Sequence, residues 1–291
     1  MFRFEQVFGE IFYRYAIIIN KPKQRSWLRI RLSKIFFITL RYIDWYMRRK
    51  DYASVVIENP LPQCVFSHST PLIRKLKNVD MWLQQNKVHN LKIATQRING
   101  IIIKPGQTFS FWRLIGKPSR FKGYKEGMIL NSGRLSVGMG GGLCQLTNLI
   151  YWMTLHTPLF VVERYRHSYD VFPDSDRTQP FGSGATCVYN YRDLQIFNGT
   201  EKDFQIIIRL TDENLEGELR SNTELDERSE IYEKNHHIYH TFWGGYIRCN
   251  ELYKRIFNNS GQQIKDEFVT KNEAIMMYQP FLEESKSVQK G

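Results

Sequence analysis

The stretch Gly138-Met139-Gly140-Gly141-Gly142-Leu143-Cys144-Gln145 decides how the middle of this 291-residue chain is expected to fold. Four of its first five residues are glycines, which tolerate positive φ and let two backbone segments approach closely. Residues 145 to 155 then place apolar side chains at helical spacing. The pattern predicts a glycine turn that leads into a helix, with Cys144 in the first turn of that helix.

This predicted position favours thiol chemistry. Unpaired N–H groups and the positive end of the helix dipole stabilise a thiolate, whereas a free thiol has a pKa of about 8.5. The N–H groups of Gly140, Gly141 and Gly142 could hold an oxyanion, and Gln145 could add a side-chain donor. The alternative is a structural turn in which Cys144 is only a small buried residue.

Other glycine motifs do not fit this stretch. A phosphate-binding P-loop requires a Lys followed by Ser or Thr, and no Lys follows these glycines. A dinucleotide fingerprint that starts at Gly138 would need glycine at the position of Leu143. We therefore expect no nucleotide cofactor.

A catalytic thiol needs a base within hydrogen-bonding distance, and often a third group that orients the base. His167 lies 23 positions after Cys144, beyond a predicted strand at 159–162. A helix of about 11 residues is about 16 Å long, so a returning strand can bring His167 back to the helix start. Asp193 is the candidate third residue. His156 is predicted to cap the far end of the helix through its partial charge.

A metal site is not expected. Cys144 and His167 provide two ligands, whereas a zinc site has three or four protein ligands. The four cysteines are widely spaced and contain no CxxC pair, which argues against a disulfide framework or a zinc ribbon. Most of these cysteines are predicted to be buried thiols.

Several blocks of the sequence resemble the VanW family, which is associated with vancomycin B-type resistance. In chain order they are Asn90-Leu91 through Asn99-Gly100, Lys104-Pro105-Gly106-Gln107-Thr108-Phe109-Ser110-Phe111, Gly140-Gly141-Gly142-Leu143-Cys144-Gln145, Val162-Glu163-Arg164 with His167, and Ala185-Thr186 with Asp193-Leu194. The resemblance covers about residues 88 to 215 and implies a role in glycopeptide resistance, without a settled activity. It adds Arg164 to the candidate binding residues. Many members have an aspartate where Gly184 stands here.

The net charge of +12 is concentrated in the first 50 residues, which hold 12 Lys or Arg and 3 Asp or Glu. Basic, aromatic and apolar residues alternate there, as in Trp27-Leu28-Arg29-Ile30-Arg31-Leu32. This mixture suits an anionic membrane surface. The alternative is an ordinary basic surface helix. Because the remainder of the chain is close to neutral, no nucleic-acid partner is expected.

The apolar runs of the N-terminal region are interrupted by charges, so neither a secretion signal nor a membrane span is predicted. We expect a cytoplasmic protein, either free or peripheral at the membrane.

The fold class predicted from these patterns is α+β. A β-rich core of largely antiparallel strands, from residues 127–131, 159–166, 185–198 and 204–220, should pack against the helix that starts at Cys144. Residues 1–75 are predicted to be a basic, helical N-terminal region with a connector, 76–220 a VanW-like domain, and 221–291 a β-rich extension whose tail from residue 280 is frayed.

Two functional hypotheses follow. The first is a hydrolase or acyltransferase that uses Cys144 and His167 on an amide or ester bond, with a peptidoglycan precursor or related peptide as the substrate. The second is a noncatalytic accessory or binding module, in which the glycine loop shapes a ligand pocket.

Overall fold

The computed structural model describes residues 26–73, 80–131, 133–171 and 179–278. Within these ranges the chain forms four α-helices and fourteen strands, most of them antiparallel, which confirms the α+β prediction. The predictions for residues 1–25 and for the tail from residue 280 lie outside the described residues.

The helices are α1 (Trp27–Met47), α2 (Met81–Ile98), α3 (Phe111–Ile115) and α4 (Cys144–Leu155). The strands are β1 (Val55–Val56), β2 (Gln63–Pro71), β3 (Ile101–Ile103), β4 (Thr108–Ser110), β5 (Glu126–Asn131), β6 (Arg134–Met139), β7 (Phe160–Glu163), β8 (Tyr169–Asp170), β9 (Gln195–Phe197), β10 (Phe204–Leu210), β11 (Asn214–Ser221), β12 (Glu227–His240), β13 (Tyr246–Asn258) and β14 (Gln263–Met276). No helix of the described residues is long and apolar enough to cross a membrane.

The central sheet has five antiparallel strands in the order β1-β3-β10-β11-β2. Residues along β11 alternate between buried and partly exposed, because one face of the sheet is covered. Strands β1 and β2 come from the segment that the sequence analysis assigned to a connector. Main-chain pairing with β3 and β11 makes that segment part of the sheet.

Helix α4 covers this sheet and begins at Cys144, as the sequence predicts. Its apolar stripe, formed by Leu146, Leu149, Ile150 and Met153, is completely buried. Each such side chain contributes about 1.5–3 kcal/mol through burial. The helix lies so close to β11 that a Cβ added at Gly217 would lie 2.7 Å from Met153 Cε. The burial of this stripe therefore holds the first turn of α4 in place.

Two smaller sheets lie beside the central sheet. Strand β9 lies between β4 and β7 in a three-stranded antiparallel sheet. Strands β5 and β6 form a hairpin, and the glycine loop leads from the end of β6 into α4. The segment 187–191, which the sequence analysis predicted as a strand, instead forms a tight turn closed by paired hydrogen bonds between Val188 and Arg192.

The C-terminal part is a meander of the long strands β12, β13 and β14, with β8 added in parallel to β14. The sequence pattern divides β13 and β14 into shorter strands. In the structure these strands continue through irregularities such as the one at Leu252/Tyr253. Strand β12 is an edge strand of this sheet, and many of its residues are charged and exposed.

Candidate active site

The glycine loop packs closely against its neighbours. A Cβ added at Gly141 would overlap the backbone of Gly127 in β5, and one at Gly142 would overlap the side chain of Lys87 in α2. Gly140 and Gly142 also have positive φ angles, +71° and +95°. These contacts explain why glycine is required at these positions, and they fix the path of the backbone before Cys144.

The side chain of Asn90 in α2 forms hydrogen bonds with the glycine loop and with the residue before β5. Its buried side-chain amide donates to the carbonyl oxygens of Lys125 (2.9 Å) and Gly141 (3.0 Å), and its oxygen accepts the N–H of Lys125 (2.8 Å). Both ends of the β5–β6 hairpin are therefore tied to α2 through one side chain.

The start of α4 presents main-chain donors beside the thiol. The N–H groups of Gln145 and Leu146 bond to the carbonyl oxygens of Gly142 and Leu143. Among the described residues, the N–H groups of Gly142, Leu143 and Cys144 find no acceptor. The first turn of a helix thus keeps the free donors that an oxyanion would need. The side-chain amide of Gln145 instead donates to Thr70 Oγ1 (3.0 Å) and the carbonyl oxygen of Pro71 (2.9 Å) in β2.

A second cysteine lies against the first. The Cys144 and Cys187 sulfurs are 3.7 Å apart, and both cysteines are free. Two side chains of α4 hold the segment that carries Cys187: Thr147 Oγ1 donates to the carbonyl oxygen of Ala185 (2.6 Å), and Asn148 Oδ1 accepts the N–H of Ala185 (2.7 Å). The thiol contact is thus fixed by main-chain anchors two residues before Cys187.

The His167 side chain lies close enough to the Cys144 thiol to lower its pKa, although the described residues show no hydrogen bond between these two side chains. It comes back to the start of α4 because Tyr165, two residues earlier, pairs with Thr186, whose N–H donates to the Tyr165 carbonyl oxygen at 2.7 Å. The segments that carry His167 and Cys187 therefore lie side by side. The Cys144 and Cys187 sulfurs are thus in contact, and His167 lies nearby.

The two thiols differ in acidity. A hydrogen bond with Cys187 lowers the pKa of Cys144 well below its usual value, and the nearby His167 acts in the same direction against the effect of burial. Burial raises the pKa of Cys187 well above its usual value, and the neighbouring Cys144 raises it further. Cys144 is consequently the more acidic thiol of the pair.

Asp193 is buried beside this group with 0% exposure, but its contacts are elsewhere. It accepts hydrogen bonds from Ser110 Oγ (2.6 Å) and from the N–H groups of Trp112 (3.0 Å) and Leu194 (2.9 Å). Gln195 Nε2 is a further donor at 3.2 Å. Burial raises the pKa of Asp193 to about 6. Within the described residues none of its hydrogen bonds reaches His167, so its contacts hold the start of α3 against β9.

Arg164, the remaining candidate binding residue, contacts the main chain. Its guanidinium donates to the carbonyl oxygens of Gly182 and Gly184, and it stacks on Tyr151 of α4 with Cζ 4.7 Å from the ring centroid. Burial lowers its pKa. These contacts position the irregular segment 182–184, which precedes Cys187. Arg164 and Tyr151 also line an open cavity of about 730 Å³ between β7 and the C-terminal meander.

Sequence reasoning missed Cys187, Thr147 and Asn148. Cys187 directly follows the Ala185-Thr186 block, so the resemblance marked its neighbourhood but not the residue. In the described part of the chain, no group of three or more His, Cys, Asp or Glu residues could hold a metal ion.

Comparison with known proteins shows what this part of the chain is similar to. Residues 86–220 match the protein-family model described as "VanW like protein". This part of the chain is therefore similar to that family. The matched residues include the glycine loop, Cys144, His167, Cys187 and Asp193, and the match confirms the resemblance noted in the sequence.

Two relatives are similar to this chain. The vancomycin B-type resistance protein VanW of Enterococcus faecalis is 39% identical over 168 residues, which are 58% of this chain and 61% of that protein. The uncharacterized protein YoaR of Bacillus subtilis is 34% identical over 101 residues, 34% of this chain and 33% of that protein. The chain thus spans less than two thirds of each relative. No solved structure matches it significantly.

Proposed function

We propose that this protein is an accessory protein of glycopeptide resistance whose VanW-like domain cleaves or transfers an acyl group. In this proposal Cys144 is the nucleophile and His167 the general acid and base. The bond attacked is an amide or ester of a peptidoglycan precursor or related peptide. The observation that carries the proposal is that Cys144 stands at the start of a helix, beside free main-chain N–H groups, with His167 near enough to lower the pKa of its thiol.

The proposed reaction uses groups that already lie together. The Cys144 thiolate attacks the carbonyl carbon and forms a C–S bond, while free N–H groups of Leu143 and Cys144 hold the oxyanion. His167 gives a proton to the leaving amine or alcohol as its bond breaks. Water or a second amine then attacks the thioester, His167 takes the proton of that nucleophile, and the Cys144 thiolate is released.

A noncatalytic binding module is the second candidate. The observation that favours it is that Asp193 does not contact His167, so no residue of the expected triad orients the imidazole. Gln145 and Arg164 are also committed to main-chain contacts. In this alternative the thiols and the loop would only shape the surface that a peptide contacts.

The activities of two single variants distinguish the enzyme from the binding module. Cys144→Ala and His167→Ala should each abolish cleavage of precursor peptides, and both should keep the unfolding midpoint of the wild type within a few degrees. Cys249→Ala is the matched control, because this buried cysteine lies in the C-terminal meander, away from the site. Equal peptide affinity in all variants with no turnover in the wild type would support the binding module.

We further propose that α1 attaches the protein to an anionic membrane surface. None of its 21 residues is buried, and Leu32, Phe36 and Ile43 are 58%, 58% and 53% exposed. At helical spacing these three share one face, opposite Arg41, which is held by the body of the protein. Described residues leave the apolar face uncovered, and Arg29 lies at its edge, whereas Lys34 lies on the opposite side, over the ring of Tyr191. Apolar and basic groups together suit an anionic bilayer.

Vesicle binding tests this surface. The protein should sediment with anionic vesicles at low salt, should be released as salt shortens the Debye length to about 8 Å, and should ignore neutral vesicles. Phe36→Asp with Ile43→Asp should abolish capture, whereas Ile264→Asp, the same change at an exposed site in β14, should leave it intact. Equal capture by both lipids, or a soluble dimer that Phe36→Asp dissociates, would contradict the proposal.

A further inference from the structure

Cys144 and Cys187 are separated by 43 residues in the sequence but have sulfurs 3.7 Å apart. Both are free cysteines in the structure. The other two cysteines lie on β2 and β13, in different sheets. Among the described residues, Cys144 and Cys187 are the only two cysteines whose sulfurs lie within hydrogen-bonding distance.

We propose that Cys144 and Cys187 form a reversible disulfide when the protein meets a peroxide. The two residues have the complementary roles that this chemistry needs. Cys144 is partly exposed at the start of α4, whereas Cys187 is only 8% exposed. The more exposed thiol is therefore the one that meets the peroxide, and a second thiol lies 3.7 Å from it.

The reaction proceeds in two balanced steps. The Cys144 thiolate attacks one oxygen of the peroxide, the O–O bond breaks, and Cys144 becomes a sulfenic acid as hydroxide or alkoxide leaves. The Cys187 sulfur then attacks the Cys144 sulfur, a molecule of water leaves, and the S–S bond forms. Two thiols lose two electrons and two protons, and one peroxide is reduced.

The geometry requires little movement. A disulfide has an S–S distance of about 2.05 Å, so the sulfurs must approach by about 1.6 Å. The main chain on each side of Cys187 is held, by Ala185 on Asn148 and Thr147 and by the Val188–Arg192 pair. Rotation of the two side chains can supply the approach while these anchors stay in place.

The disulfide would occupy the sulfur that the proposed reaction uses as its nucleophile. Its effect on activity therefore rests on the proposed function, but its formation does not. Peroxide should inactivate the protein, and a thiol reductant should restore it. Without Cys187, the Cys144 sulfenic acid would instead be oxidised further to sulfinic acid, which thiols do not reduce.

The test counts thiols and maps cross-linked peptides in a Cys64→Ser background, which removes the exposed cysteine and intermolecular cross-links. Treatment with hydrogen peroxide should lower the titratable thiols of the denatured protein from three to one. Proteolysis should release a Cys144–Cys187 peptide pair lighter by two hydrogen atoms, which dithiothreitol separates. Oxidation should also raise the thermal midpoint, because a cross-link restricts the unfolded chain.

Two variants and one control show whether the cross-link needs both cysteines. Cys187→Ala should prevent the cross-link and give Cys144 sulfinic acid, and Cys144→Ser should leave Cys187 reduced, while Cys249→Ala should cross-link like the background protein. Overoxidation of Cys144 to the same extent with and without Cys187 would overturn the proposal. A cross-link that forms in a protein without peptide cleavage would keep this inference and reject the proposed enzyme.

Discussion

Arg41 Nη2 of α1 lies 2.6 Å from Glu163 Oε1 at the end of β7, and the same carboxylate oxygen accepts the N–H of Asp193 at 3.0 Å. Arg41 Nε also donates to the carbonyl oxygen of Asn190 (3.3 Å), and Tyr42 and Tyr189 share a hydrogen bond of 2.6 Å between their hydroxyl groups. The N-terminal helix is therefore anchored on the turn that follows Cys187, next to the candidate site.

Removal of this anchor should destabilise the protein. Arg41→Ala leaves Glu163 without its ion pair, and both side chains are largely buried, so the free energy of unfolding should fall by about 2 kcal/mol. Arg49→Ala, a change at an exposed position of the same basic region, should alter it by less than about 0.5 kcal/mol. Urea unfolding measures both variants. If the two variants lose the same free energy of unfolding, the ion pair of Arg41 does not stabilise the protein.

The glycine loop predicts a stability difference between two glycines. At Gly142 an added Cβ would overlap Lys87 and would also be strained at φ +95°, so Gly142→Ala should cost about 2–4 kcal/mol. Gly261→Ala has a similar φ of +80° but no atom within 4 Å, so it should cost only about 1–2 kcal/mol. If urea unfolding gives the same loss of unfolding free energy for both variants, the overlap with Lys87 contributes nothing beyond the backbone strain.

His156 should make the protein sensitive to acid. Burial lowers its pKa to about 4, and its Nδ1 lies 3.2 Å from the Ser229 carbonyl oxygen while Nε2 has no partner among the described residues. Below pH 6.5 the unfolded chain protonates this histidine and the folded chain does not, so stability falls as the pH drops from about 6.5 to 4. The loss due to this residue should be about 2–3 kcal/mol.

The comparison of His156→Gln with wild type isolates that loss. The stability difference between the two proteins should shrink as the pH falls, because the variant has no group to protonate there. His240→Gln, at an exposed position, is the control and should leave the pH dependence unchanged. If His156→Gln loses stability with falling pH as steeply as the wild type, other groups cause the acid sensitivity.

Cys187 is expected to control the acidity of Cys144. The contact between the two thiols lowers the pKa of Cys144, so Cys187→Ala should move the midpoint of the pH–alkylation profile of Cys144 upward, toward the value of about 8.5 for a free thiol. Cys249→Ala should leave the midpoint unchanged. An unchanged midpoint in Cys187→Ala would show that the contact between the two thiols has no electrostatic effect.

The sequence predicted features that depend on local pattern. The glycine run and the apolar stripe placed the helix start at Cys144, and the alternation after residue 203 predicted the antiparallel strands. Both signals lie within a few residues of the element they predict. Strand ends were less accurate, because β13 and β14 continue through irregularities that interrupt the two-residue alternation.

Features that depend on distant contacts were missed. Nothing near Cys187 shows that its sulfur meets Cys144, since the contact arises from hydrogen bonds between Ala185 and the side chains of α4. His156 is the C-cap residue of α4, as predicted, but its ring adds no charge there, because it stacks on Phe66 at 3.8 Å and burial lowers its pKa. The candidate role of Asp193 in a triad is untested and stays a prediction.

The rate at which each cysteine is alkylated tests the central claim, that Cys144 is an activated thiol. At neutral pH, iodoacetamide followed by peptide mass mapping should modify Cys144 before the more exposed Cys64 and well before Cys187 and Cys249. That rate should persist as the pH drops below 7 and should fall in His167→Ala. Modification of Cys64 first, with Cys144 reacting only as the pH approaches about 8.5 and equally in His167→Ala, would contradict the account.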